Sequence, residues 1–193
     1  MKKRVFDLAL IFVTSPIWMV LLLLSVTVVL ISMGLPVFYI DERSGLLGKP
    51  FKMIKIRTMR SGNQPDSERL TGVGKILRAL SLDELPELWN IIKGEMSLVG
   101  PRPLPIRYLP RYSSNQRRRL NVLPGLTGLA QVRGRNALDW ETKFDYDVYY
   151  VDHHSLWMDM RIIFLTIFKV FLSTDINHPG EATMSEFKGE ENG

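Results

Sequence analysis

The chain of 193 residues is 46% hydrophobic and 23% charged, the composition of one domain with an appendage and not of a disordered chain. Its 25 Lys and Arg against 20 Asp and Glu leave a formal charge of +5, which favours anionic partners (nucleic acid, acidic lipid or a phosphorylated substrate) without choosing among them. The absence of Cys excludes disulfides, Cys-ligated zinc and a cysteine nucleophile, and three His residues are too few for a His-rich metal site.

From Leu8 to Met33 no charged residue occurs, and Lys2, Lys3, Arg4 and Asp7 precede the run. It is longer than the roughly 7–15 residues of a signal-peptide core and lacks an A-x-A site before Gly34-Leu35-Pro36, which excludes a cleaved signal. A span of roughly 20 apolar residues fits its length. Basic residues flank both ends, however, with Arg43, Lys49, Lys52, Lys55, Arg57 and Arg60 following the run. A straight span would export one cluster, against the cytoplasmic preference of Lys and Arg. A hairpin that enters and leaves by one face avoids this. Ser15-Pro16 supplies the break: Pro16 cannot donate to the carbonyl of Phe12, and the Ser15 hydroxyl is a local substitute donor. The other reading is a span with a proline kink.

Beyond it, Pro36–Ile40 and Pro50–Ile56 read as short strands about the turn 44–48, and 61–67 as a polar loop. Apolar spacing predicts helices over Gly74–Leu80 and Leu85–Lys93. Pro101, Pro103, Pro105 and Pro110 argue against a regular element between Leu98 and Arg111, and Arg117-Arg118-Arg119 fall in a helix. The segment Ser155–Ser173 places Asp159, Thr166, Lys169 and Ser173 on one side, the pattern of an amphipathic helix of the core or of the lipid interface. A polar tail follows from Thr174, with Phe187 able to dock.

Chemistry is best sought at Ser81-Leu82-Asp83-Glu84-Leu85-Pro86. Ser81-x-x-Glu84 fits a capping box ahead of a helix that has Pro86 in its first turn, and acids suit that end of the dipole. The same carboxylates could instead attack a phosphorus atom. An anionic nucleophile facing a diphosphate needs cationic screening, by Mg²⁺ and by side chains such as Lys55, Arg57, Arg78, Arg102, Arg133 and Arg135. No P-loop, G-x-S-x-G or H-E-x-x-H motif is present, and only the basic balance and the triple Arg speak for nucleic acid, which is set aside as a partner.

Several long motifs, in order, resemble the small monotopic phosphoglycosyl transferases, the bacterial initiating sugar transferases. They are Lys3-Arg4-Val5-Phe6-Asp7, Ser15-Pro16, 51–59 (FKMIKIRTM), 82–86 (LDELP), 93–103 (KGEMSLVGPRP) and 124–132 (PGLTGLAQV). The resemblance implies a re-entrant membrane helix at the cytoplasmic face of the bacterial inner membrane. It also implies transfer of a sugar 1-phosphate from a UDP-sugar to polyprenol (undecaprenyl) phosphate, with Mg²⁺ and release of UMP. Asp83 is then the nucleophile and a metal ligand, forming an aspartyl phosphosugar, and Glu84 assists as metal ligand or proton carrier. Arg78, Arg102 and Arg135 match positions that hold phosphate or nucleotide, Asp159 an acidic position near the site, and Lys55 is an added substrate contact. The stretches 134–150 and 187–189 look most like the branch that uses diacetamido-trideoxy sugars of the bacillosamine type.

The expected architecture is α+β, a membrane hairpin over 1–36, a cytoplasmic catalytic domain over 37–175 with a short β-hairpin and amphipathic interfacial helices, and a tail over 176–193. The chain reads as the minimal catalytic form. The non-enzymatic rival is a peripheral membrane adaptor that binds lipids and holds a partner, without UMP release.

Overall fold

Two helices open the chain, α1 (Lys2–Val13) and α2 (Ser15–Met33), in a computed structural model that describes residues 2–134, 138–172 and 186–189. Only Thr14 separates them, and Pro16 lies in the first turn of α2. The carbonyls left at the break have side-chain donors. The Ser15 hydroxyl donates to Phe12 O at 2.7 Å, as the sequence suggests, and the Trp18 indole donates to Ile11 O at 2.9 Å. Among the described helices, α2 alone is long and apolar enough to cross a membrane.

The far ends of this pair dock on the same body. Arg4 donates to the carbonyls of Ile91 and Ile92, and the Ser97 hydroxyl donates to Asp7 at 2.7 Å. At the other end Val29 packs with Val37, Ile56 and Leu77. Arg57 donates to the carbonyls of Met33 and Gly34 at 2.7 and 2.8 Å, closing the C-terminus of α2. The break itself is bare: Phe12, Val13 and Ile17 are 80%, 73% and 66% exposed.

The body is α+β. Strands β1 (Phe38–Ser44) and β2 (Pro50–Ile56) form an antiparallel hairpin pairing Phe38 with Ile56 and Ser44 with Pro50. The first strand begins later than Pro36–Ile40, because pairing with β2 starts at Phe38 opposite Ile56. After α3 (Asp66–Arg69) and α4 (Gly72–Ala79), a 3-10 turn over Leu82–Glu84 leads into α5 (Glu87–Lys93). Thr71 caps α4 by accepting from Gly74 N at 2.9 Å. The Asn90 side chain ties α5 to the hairpin, donating to Lys52 O at 2.8 Å and accepting from Ile54 N at 3.3 Å.

The proline-rich stretch is more regular than its composition suggests. Strand β3 (Ser97–Val99) precedes the prolines and pairs in parallel with β4 (Gly125–Thr127), and a 3-10 segment over Ile106–Arg111 tolerates Pro110. A true capping box opens α6 (Ser114–Arg117), between Ser113 and Gln116. The predicted helix over 117–119 is the end of α6 running into a 3-10 turn over Arg118–Asn121. Helices α7 (Leu129–Arg133), α8 (Trp140–His153) and α9 (Leu156–Leu172) complete the body. The main core joins Ile11, Met53, Ile91, Val99, Tyr150 and Ile162.

Helix α9 is amphipathic in the inverted sense. Asp159 and Ile162 are buried, and Thr166 shares a 2.6 Å hydrogen bond with Thr127, so Asp159 and Thr166 of the polar stripe face the protein, while Ser173 lies outside the described residues. Trp157, Met160, Phe164, Ile167 and Phe168 point outward and exposed.

Candidate active site

The Asp-Glu pair does not form a capping box. Ser81 takes a left-handed conformation at φ 55° and its hydroxyl caps nothing, a backbone state that non-glycine residues rarely adopt. Bending there, the chain turns both acids into a cleft of about 1020 Å³. Glu84 Oε1 accepts from Lys55 Nζ and from Arg102 Nη2, each at 2.7 Å. These two cations, not a helix terminus, hold the glutamate.

Each cation is placed by a short motif. Lys55 comes from β2, next to the edge that α5 covers. Arg102 follows Gly100, which lies against Gly125: a Cβ on Gly125 would stand 2.0 Å from Gly100 N. Glycines let the chain after β3 and the start of β4 approach so closely. Arg119 Nη2 then donates to Arg102 O at 2.6 Å, and its Nε and Nη2 donate to buried Asp147 Oδ2 at 3.0 and 2.8 Å. Arg78 leaves α4 and donates from Nε to Thr58 Oγ1 at 3.0 Å.

The two acids are shifted in opposite directions. Burial disfavours ionised Glu84, yet Arg102 and Lys55 outweigh it and hold its pKa far below the usual carboxylate range. Asp83 is buried and has no hydrogen-bond partner among the described residues. Burial first, and then the Glu84 charge, raise its pKa above 3.8, against Lys55, Arg78 and Arg102. Glu87, one turn on, stands 3.1 Å from Lys55 and is pushed up to about 7 by burial and by Glu84, with Lys55 opposing.

Lys55, Arg78, Asp83, Glu84 and Arg102 therefore share one cleft. Arg135 lies outside the described residues. Asp159 sits elsewhere: it accepts from Lys3 Nζ at 2.5 Å and from the Tyr150 hydroxyl at 2.7 Å, a network that pins α1 to α9. Sequence reasoning misses Glu87, whose i+4 spacing from Asp83 is the available signal, and Gln131, whose amide lines the cleft without a partner among the described residues. The cleft wall carries eleven Lys or Arg against six Asp or Glu side chains, a surplus that suits an anionic ligand.

Residues 1–173 match the family described as bacterial sugar transferase. A Bacillus subtilis protein named uncharacterized sugar transferase EpsL is 47% identical, over 97% of this chain and 96% of its own length. The exopolysaccharide production protein ExoY of Rhizobium meliloti is 41% identical over 90% of this chain and 87% of that protein. The UDP-glucose:undecaprenyl-phosphate glucose-1-phosphate transferase of Klebsiella pneumoniae is 40% identical over 80% of this chain but only 36% of its own length. Against such longer relatives the chain spans little more than a third of the protein.

Proposed function

Because the chain belongs to the bacterial sugar transferase family, we propose that it moves a sugar 1-phosphate from a UDP-sugar to undecaprenyl phosphate through a covalent intermediate on Asp83. One observation carries this reading. Of two adjacent carboxylates, Glu84 is locked by Lys55 and Arg102, while Asp83 faces the cationic cleft with no hydrogen-bond partner among the described residues. An adaptor would not require that difference.

In the first half-reaction an Asp83 carboxylate oxygen attacks the β-phosphorus of the donor. The bond from that phosphorus to the oxygen bridging the α- and β-phosphates breaks, and UMP leaves with the electron pair. In the second, a phosphate oxygen of the lipid attacks the same phosphorus and the Asp83 carboxylate is released. Arg78 and Arg102 neutralise the diphosphate during attack, and Lys55 keeps Glu84 ionised.

Mg²⁺ fits this donor set. Among the described residues there is no cage of three or more acidic or His ligands, but Mg²⁺ on a diphosphate substrate takes only one or two carboxylates. Asp83 and Glu84 would supply them, and the cation would offset the desolvation that disfavours charge on Asp83. The ion would contribute Lewis-acid screening of the phosphates.

The membrane arrangement belongs to the same proposal. Residues 1–36 form a re-entrant hairpin at the cytoplasmic face of the inner membrane, monotopic, with the outward face of α9 in the interface. Both ends of the hairpin rest on one body. The acceptor phosphate would then lie level with Asp83. For the donor, the relatives' names carry glucose and galactose, and the likeness of 134–150 to the bacillosamine branch adds a diacetamido-trideoxy sugar to the panel.

The test is UMP release with undecaprenyl phosphate, Mg²⁺ and a panel of UDP-sugars. Asp83→Asn lowers turnover at least about a thousandfold. Without the lipid, intact-mass analysis finds the phosphosugar on the wild-type chain and none on the variant. Release that needs both substrates at once, with no adduct trapped, replaces this mechanism with direct displacement.

A further inference from the structure

One limb of the cavity runs between the first and last helices. Leu10 of α1, Leu126 of β4, and Ile163 and Ile167 of α9 line the same cavity as Asp83. Leu10, Leu126 and Ile163 pack on the main core, whereas Ile167 is 53% exposed on the outward face of α9. The cavity thus reaches from the Asp-Glu pair to the two elements whose bare apolar faces are placed above in the lipid.

The threonine hydroxyls along this limb are committed. Thr166 donates its proton to Ile162 O at 2.8 Å, so Thr127 is the donor in the 2.6 Å bond between the two threonine hydroxyls. Neither has a proton left for a ligand. Gln131 differs. Its Nε2 and Oε1 are both shut off from solvent, and neither has a partner among the described residues. The fold makes room for this amide, because a Cβ on Gly128 would stand 2.6 Å from Oε1. An unpaired buried amide destabilises a protein, and an apolar side chain of its size does not. Its retention here points to a ligand.

The two ends of the amide say what that ligand offers. Nε2 donates to a phosphate oxygen, and Oε1 accepts from the P–O–H of a singly ionised phosphate monoester. A lipid phosphate is such a monoester. Both phosphates of a UDP-sugar are diesters and carry no proton of this kind. Lys169, three residues beyond Thr166 on α9, also lines the cavity and adds positive charge.

We propose that Gln131 is an acceptor-binding residue, whose amide receives the phosphate of a polyprenyl phosphate entering between α1 and α9 and holds it facing the phosphosugar on Asp83. The inference rests on the transferase reading above. It separates the cleft into a cationic part that takes the donor and a lipid-side limb that takes the acceptor.

The experiment compares the full chain with Gln131→Leu and Gln131→Glu, using a UDP-sugar, Mg²⁺ and undecaprenyl phosphate. When the two substrates react in separate half-reactions, kcat/KM for the donor reports only the loading of Asp83, and kcat/KM for the lipid only its unloading. Gln131→Leu keeps the donor constant, and the yield of adduct formed without lipid, within about twofold; it lowers the lipid constant at least about tenfold. Gln131→Glu lowers the lipid constant further, since a carboxylate repels phosphate. Gln131→Leu also melts no lower than the native chain, because it fills the same space without an unpaired amide. A lipid constant unchanged within about twofold in both variants overturns the proposal. So does an equal loss on the donor, which would put the amide on the nucleotide or its sugar. If Gln131→Leu fails to fold, the same two constants in Gln131→Glu decide. If the native chain releases no UMP, the transferase reading falls on its own. The amide is then judged by thermal shifts with undecaprenyl phosphate against undecaprenol: a shift specific to the phosphate that Gln131→Leu abolishes supports the site. A native chain that does not distinguish the two lipids, or a preference that the variant keeps, refutes it.

Discussion

Asp83 and Glu84 are neighbours in the chain with opposite fates, and the third carboxyl beside them, Glu87, has another. Glu87 is almost fully buried, and the cation paired with it, Lys55, is shared with Glu84. Its proton is therefore held up to about pH 7, whereas an exposed glutamate releases it near 4.5. Between those values the folded chain keeps a proton that the unfolded chain has lost. Stability consequently falls as pH rises through this window, by roughly 3 kcal/mol in all. Glu87→Gln abolishes that dependence without removing volume. Melting curves recorded from about pH 5 to pH 8 show a falling midpoint for the native chain and a nearly flat one for the variant; parallel slopes refute the assignment.

At the scale of elements, the buried Arg119–Asp147 pair ties α8 to the loop that carries Arg102. Asp147→Asn leaves Arg119 a buried cation without its counter-charge, and such losses cost about 3–5 kcal/mol. Denaturant unfolding should register that loss, and a change below about 1 kcal/mol would show that water reaches the site. The same pair explains what the sequence conceals. Helix α8 buries Phe144, Asp147, Val148 and Tyr150, so an acid stands in the middle of its inner stripe and the apolar period is broken where the helix packs. The hairpin strands, α4, α5 and the break at Ser15-Pro16 were legible because apolar spacing and proline act locally. The failure of the Ser81–Glu84 capping box was not, because Lys55 and Arg102 arrive from 29 and 18 residues away. The glycines of 93–103 and 124–132 are legible as motif but not as contact: Gly100 and Gly125 are understood only once β3 and β4 lie side by side. In α9, spacing reveals the two faces but cannot say which of them turns inward.

For the whole molecule the decisive quantity is length. Helix α1 has 12 residues and rises about 18 Å, well short of the roughly 30 Å of a bilayer core. Helix α2, with 19 residues, rises about 28 Å, and its last turns are spent against β2 and α4. With the far ends of both helices docked on one body, the arrangement proposed above is a dip and return that puts Phe12, Val13 and Ile17 deepest. The chain has no cysteine, so single replacements report sidedness cleanly. Lys2→Cys and Asn63→Cys should both react with a membrane-impermeant maleimide in inverted inner-membrane vesicles and in neither case from the periplasmic side. Val13→Cys should stay unreactive from both sides until detergent dissolves the bilayer. Labelling of position 2 from the periplasm would mean a straight span and would separate Lys3 from Asp159 and Arg4 from α5. The contacts that hold the hairpin to the cleft could not then exist, so the same result would also remove the reason for placing Asp83 at the height of a lipid phosphate.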